Sequence, residues 1–154
     1  MKNDETTHEG YYIITDNTKM DIGVIHGYLQ QSYWAAGVPI DIVKKSVANS
    51  LCFGVFHNNA QVGFARLVTD EATFAYLADV FILPAHRGKG LSKWLMQTIH
   101  AQPGLQGLRR WMLATRDAHG LYEQFGWTEL TGEICKRFMQ KHNPDVYKNQ
   151  VSTS

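Results

Sequence analysis

The sequence predicts an α/β fold built on a mixed sheet, and three stretches carry that prediction. Leu51 to His57 and Gln61 to Thr69 are strand-like runs on either side of Asn58-Asn59, a turn dipeptide that makes them antiparallel partners. Phe74 to Leu83 is nearly all apolar, as expected of a central strand with both faces covered. After it come a glycine turn, an amphipathic segment from Gly90 to about Ala101, and another strand-like run from Arg110 to Thr115. Such a strand–helix–strand crossover makes its two strands parallel. One antiparallel hairpin and one parallel pair give a mixed sheet.

The other elements follow in chain order. Residues 1–10 read as a loose polar leader, and Tyr11 to Thr15 as a first short strand that Asp16-Asn17 breaks. A helix is predicted from about Asp21, with Ile22, Ile25, Leu29 and Tyr33 along one face, running out near Gly37. A second should cover Pro39 to Ser50, with Ile40, Val43 and Val47 inward and Lys44 and Lys45 solvated. Pro84 ends the central strand, because it lacks a ladder N–H. In the following helix Leu91, Trp94, Leu95, Thr98 and Ile99 form the inward stripe, and Pro103-Gly104 stops it. A short helix over Ala118 to Phe125 stops at Gly126, and Trp127 to Leu130 and Ile134 to Met139 are the last strand candidates. The tail from Lys141 is polar and expected to fray.

At 154 residues the chain suits a single domain, 1–154, with flexible tails at 1–10 and 141–154. A formal net charge of +1 gives no electrostatic case for nucleic acid or an anionic membrane. Cys52 and Cys135 lie in strand-like apolar runs and read as buried thiols of a reducing cytoplasm. No signal-peptide pattern opens the sequence, and no apolar run approaches a membrane span. The seven histidines form no ligand-spaced cluster, so no metal is expected.

Chemistry concentrates in Ala78 to Trp94, where an apolar strand runs through a basic glycine turn into a helix. Gly88 and Gly90 allow successive amides to point into one concavity at the helix start. With the helix N-terminus, Arg87 and Lys89, those amides favour a phosphate or pyrophosphate. A P-loop or dinucleotide fingerprint fits worse: the first needs a different spacing, and the second a glycine where Lys93 stands.

The turn resembles the acetyl-CoA-binding motif of the GNAT superfamily of N-acetyltransferases, Arg/Gln-x-x-Gly-x-Gly/Ala, here Arg87-x-x-Gly90-x-Ser92 after Val80-x-Ile82. Serine replaces the last small residue. The segment Leu121-Tyr122-Glu123-Gln124-Phe125-Gly126-Trp127 resembles the family's Leu-Tyr-x-x-x-Gly-Phe motif. Element order extends the resemblance over Tyr11 to Met139. It implies a central mixed sheet of six to seven strands flanked by helices, in the order β-α-α-β-β-β-α-β-α-β. The strands at Phe74–Leu83 and Arg110–Thr115 would splay apart to admit pantetheine.

What the resemblance implies for the site can be given residue by residue. Val80, Phe81 and Ile82 would line the pantetheine arm through main-chain groups, while Arg87, Gly88, Lys89, Gly90, Leu91 and Ser92 would hold the pyrophosphate. Tyr122 would give a proton to the departing thiolate; its alternative is packing on the inner face of a helix. Where some relatives carry a glutamate on the central strand, this chain has Tyr76. Asp79, a lone charge in an apolar strand, reads either as a general base of raised pKa or as a structural hydrogen-bond acceptor to a loop. Asp117 stands where the family often has a cofactor-touching asparagine, with helix capping as its alternative, and His119 reads as a solvated turn residue, with a proton carrier as its alternative. Tyr33 and Trp34 are the candidate acceptor wall.

The expected function is acetyl-CoA-dependent acetylation of a primary amine, on a small molecule or a peptide, by direct attack in a ternary complex. The alternative is a non-catalytic domain that binds coenzyme A as a sensor or partner subunit. No metal, nucleic acid or membrane partner is expected, a homodimer is left open, and the expected location is the cytoplasm.

Overall fold

A computed structural model describes residues 5–148. The described chain forms two compact units that divide between Ala114 and Thr115. In the first unit, six strands form one sheet in sequential order: β1 (Glu5–His8), β2 (Tyr11–Ile14), β3 (Leu51–His57), β4 (Ala60–Thr69), β5 (Phe74–Ile82) and β6 (Arg110–Leu113). Neighbouring pairs are antiparallel from β1 through β5, and β5 pairs β6 in parallel. The sheet is therefore mixed, as the hairpin and crossover readings required.

Local chemistry explains where these elements begin and end. Asn58 and Asn59 both take positive φ, +51° and +65°, which is the conformation a tight two-residue hairpin turn demands. Between β4 and β5 the Asp70 carboxylate accepts from the amides of Ala72, Thr73 and Phe74 and from the Thr73 hydroxyl. Those bonds, Thr73's first, hold its carboxyl well below the usual carboxylate range.

Three helices belong to this unit: α1 (Ile22–Leu29), α2 (Ile40–Ala48) and α3 (Leu91–His100). Asp21 caps α1 by accepting from the Val24 amide, and Gly90 stands at the start of α3 in the left-handed conformation. Ile25, Leu29, Val43, Val47, Leu95, Met96 and Ile99 are buried with Phe53, Phe64 and Leu67 of the sheet. Each large apolar side chain so removed from water contributes about 2 kcal/mol before entropy is charged against it.

The second unit carries α4 (His119–Glu123) and α5 (Gly132–Lys136). Gly126 has φ +89°, and the Phe125 and Trp127 amides on either side of it both reach the Tyr122 carbonyl, at 2.9 and 3.4 Å. That reversal brings the Trp127 ring to 5.9 Å from the ring of Tyr122.

Several expectations need correction. Glu5–His8 is a strand, since its backbone finds a partner in Tyr11–Ile14; the rest of the expected leader, 1–4, lies outside the described residues. The first helix ends at Leu29, so Tyr33 lies on a loop and is exposed. Ile40 is exposed too, at the first position of α2, while Val43 and Val47 further along are buried. β5 is not covered on both faces: Phe74 and Tyr76 are exposed at its start. Neither Trp127–Leu130 nor Ile134–Met139 forms a strand; α5 occupies part of the second, and Cys135 on it is exposed. Cys52 is buried, which pushes its thiol up to about 12. Residues 144–148 form turns, and 149–154 lie outside the described residues.

Candidate active site

The β5 strand is irregular where the chemistry was expected. Its register against β4 slips between Phe64↔Phe81 and Arg66↔Ala78, so β5 holds one residue more than β4 there. Asp79, within this bulge, has φ +55°, a left-handed conformation uncommon for a residue with a side chain.

Past the bulge, β5 has one open edge. Pairing with β6 covers Phe74–Leu77 only, whereas pairing with β4 continues to Ile82. The Leu83 amide donates to Val62 of β4 at 2.8 Å. Strand alternation then turns the main chain of Ile82 the other way. Arg87 confirms the direction for Ile82: its Nε donates to the Ile82 carbonyl at 2.9 Å. Val80 and Ile82 both lie in the part of β5 that β6 does not pair.

This edge leads into the glycine turn. Pro84–His86 forms one 3-10 turn, and Gly88 and Gly90 follow with φ +79° and +76°. No heavy atom beyond the neighbouring residues lies within 4 Å of where a Cβ would stand on either glycine, so both face open space. The first amides of α3, those of Leu91, Ser92 and Lys93, have no acceptor within their own helix. Lys89 is exposed beside them, and Ser92 is half-buried. The concavity, the positive charge and the free donors together fit a pyrophosphate.

Arg87 behaves differently from its neighbours. Besides the Ile82 carbonyl, its guanidinium reaches the Tyr28 hydroxyl of α1, Nη2 to Oη 3.0 Å. Its fork ties the turn to β5 and to α1. A cavity of about 490 Å³ flanks the turn, lined by His8, Glu9, Tyr11, His57, Gly88 and Lys89. Tyr11 stacks on His57, and its hydroxyl is 2.9 Å from His86 Nδ1.

Asp79 has two partners. Its Oδ2 accepts from Arg66 Nε and its Oδ1 from Trp34 Nε1, each at 2.8 Å. Arg66 also reaches the Ser50 hydroxyl, 3.1 Å from its Nη1. Arg66 was missed in the sequence, although a lone arginine in apolar β4, opposite a lone aspartate in β5, is a readable signal. Tyr28, which stacks on Phe81 at 4.1 Å, was missed as well.

Tyr122 lies on α4 in the second unit and is buried. Asp117 is exposed and does not cap that helix. Ala118 occupies the cap position, and its own amide is held by the Thr115 hydroxyl. His119 is exposed. Among the described residues no group of three or more histidine, cysteine or acidic side chains could hold a metal ion, and no helix is long and apolar enough to cross a membrane.

A family model described as an acetyltransferase (GNAT) domain matches residues 48–129, which span β3 through the glycine turn to α4. The chain belongs to the GNAT acetyltransferase family. Three relatives agree with this assignment. The crystal structure of a candidate GNAT acetyltransferase from Xanthomonas campestris pv. campestris is 46% identical, with TM-score 0.87, over 93% of this chain and all of that one. A candidate acetyltransferase from Gibberella zeae is 32% identical over 75% of this chain and 77% of its own length. An uncharacterized N-acetyltransferase from Prochlorococcus marinus is also 32% identical, over 80% and 72%. Strands β3 to β6 and the glycine turn lie within the matched GNAT segment, and acyl transfer is the chemistry of its class.

Proposed function

We propose that this GNAT domain is an N-acetyltransferase that takes its acetyl group from acetyl-CoA and passes it directly to a primary amine in a ternary complex. One observation carries the reading: the open edge of β5 at Ala78–Ile82 runs straight into the Gly88–Gly90 turn at the start of α3. An extended pantetheine arm needs such an edge, and a pyrophosphate needs such a turn at the arm's far end.

Acetyl-CoA supplies the acyl thioester; the chain supplies orientation and protons. Main-chain groups of Val80 and Ile82, beside Phe81, would hold the pantetheine arm. Gly88, Lys89, Gly90, Leu91 and Ser92 would hold the pyrophosphate through amides and charge. Arg87 keeps this turn in place. An alkylammonium costs about 5 kcal/mol to deprotonate at pH 7, so the acceptor must lose its proton before or during attack. Tyr122 would donate a proton to the departing sulfur. Phenol and thiol have reference pKa values of about 10 and 8.5, so that transfer is only slightly uphill. A cytoplasmic setting, where thiols stay reduced, suits the free Cys52 and Cys135.

A thermal-shift comparison with acetyl-CoA, ATP and NAD tests the donor. Ligand at a hundred times its Kd adds about 2.7 kcal/mol, which for a chain of this size raises Tm by roughly 5–10 °C. Acetyl-CoA should do this and the two nucleotides should not; no response to acetyl-CoA sinks the reading. Release of free thiol in the presence of primary amines then distinguishes a transferase from a domain that only binds.

A further inference from the structure

The β5 bulge carries a carboxylate that the proposed hold on the donor does not use. Asp79 keeps a left-handed conformation, and both of its oxygens accept from fixed donors, Arg66 on β4 and Trp34 on the loop between α1 and α2. Its side chain is only 10% exposed. A non-glycine residue held in this backbone region at a functional strand calls for a task.

The partner across the loop is unusual as well. Trp34 is 41% exposed, yet its indole N–H is spent on a carboxylate rather than on water. One edge of the ring is pinned while part of the residue stays open to solvent. Tyr33, 49% exposed, packs edge-on against it with centroids 5.1 Å apart. On the other side Trp34 approaches Tyr28, which stacks on Phe81 and accepts from Arg87. The α1 region is therefore fastened to β5 at two points, Asp79 and Phe81, on either side of Val80.

We infer that Asp79 is a positioning residue for the acceptor side of the site. It latches Trp34, and with it the loop 30–38, against the strand that receives the donor, so that Trp34 and Tyr33 form a wall for the acceptor. Arg66 balances the Asp79 charge, so the wall recognises its ligand by ring contact and not by ionic attraction. The acceptor class this favours is an amine carried on a flat or apolar group. The inference rests on the acyl-transfer reading above, and its test separates the two.

Two variants isolate the latch. Trp34→Phe keeps an aromatic ring and removes the N–H, leaving the Asp79–Arg66 pair intact. Asp79→Asn tolerates the left-handed backbone and still offers one acceptor oxygen. The first readout is the indole N–H resonance of Trp34 in nitrogen-15-labelled protein, assigned by its loss in Trp34→Phe. It should exchange slowly with solvent in the wild type and at least about tenfold faster in Asp79→Asn, as expected when the hydrogen bond loses its charged acceptor. Exchange as fast as in free tryptophan in the wild type overturns the latch.

The second readout uses 2-phenylethylamine, spermidine and a lysine peptide as acceptors. Phenylethylamine should be the best of the three, and both single variants should raise its KM about tenfold, with kcat changed less than about threefold. The double variant should go no further, because one interaction has been removed twice. Preference for spermidine or the peptide overturns the aromatic wall. A fall in kcat of about a hundredfold in Asp79→Asn alone overturns positioning in favour of proton transfer. Failure of the wild type to bind acetyl-CoA by calorimetry rejects the acyl-transfer reading, while the indole signal still decides the latch.

Discussion

Arg87 donates from Nε to the carbonyl oxygen of Ile82 at 2.9 Å, closing a short loop from the end of β5 through the 3-10 turn and back. A motif arginine expected to meet phosphate thus spends its guanidinium on the chain itself, with Nη2 on the Tyr28 hydroxyl. Lysine cannot reproduce a planar fork that serves two acceptors. Arg87→Lys should therefore lower stability by about 1 kcal/mol, roughly 2–4 °C in Tm, and weaken acetyl-CoA several-fold through a loosened turn. Calorimetric Kd and a thermal melt check this. Unchanged stability with a much weaker Kd would instead put the side chain on the ligand.

Gly90 separates backbone strain from charge at the same turn. Its φ of +76° costs a residue with a Cβ about 1–2 kcal/mol, yet the space around it is open. Gly90→Ala should fold with a slightly lower Tm and bind acetyl-CoA only moderately more weakly. Gly90→Glu should fold as well but lose at least about a hundredfold in affinity, since a carboxylate would face the proposed pyrophosphate. Equal affinities in the two variants would move the phosphate site elsewhere.

These two positions mark what the sequence shows and what it hides. The glycine turn was legible because glycine, proline and a helical stripe signal locally, and the hairpin because Asn58-Asn59 does so too. The bulge at Asp79 was not, since a left-handed residue in an apolar run leaves no periodic trace. Its partners Trp34 and Arg66 come from other elements, so the sequence could raise the question of Asp79 but not name the answer. β1 was hidden for a different reason: Glu5-Thr6-Thr7-His8 is polar, and its pairing with β2 uses main chain. The segments after Gly126 mislead in the opposite sense. They carry strand-like residues, but Gly132, at φ +62°, opens a helix.

Acid should destabilise the fold in two separable stages. Burial lowers the pKa of His100 at the end of α3, so the folded state binds its proton later than the unfolded chain. Its contribution is present above the unfolded value of about 6.5 and is lost as pH falls through the folded one. The Asp70 carboxyl is also held low, by its bonds to Thr73 first, so its contribution is present above about pH 4 and fades as pH falls further. Urea midpoints measured from pH 8 to 3 should decline in both windows. Asp70→Asn should shrink the lower decline, to which Asp16, held low by its bonds to Thr18, also adds, and leave the upper; His100→Gln should remove the upper and leave the lower. A decline unchanged by its own substitution would assign that window to other groups.

Tyr122 offers the sharpest check on the proposed chemistry. Its ring is buried, and its carbonyl receives the Phe125 and Trp127 amides, so the main-chain reversal after α4 does not depend on the hydroxyl. Tyr122→Phe should keep that packing, bind acetyl-CoA with unchanged Kd, and lose roughly a hundredfold or more in kcat, the usual worth of a placed proton donor. The loss should shrink when the leaving thiol is made more acidic, since a weaker base needs less help to depart. A full rate in Tyr122→Phe would return the residue to a packing role. An equal loss for every leaving thiol would place its effect on a step other than departure of the sulfur.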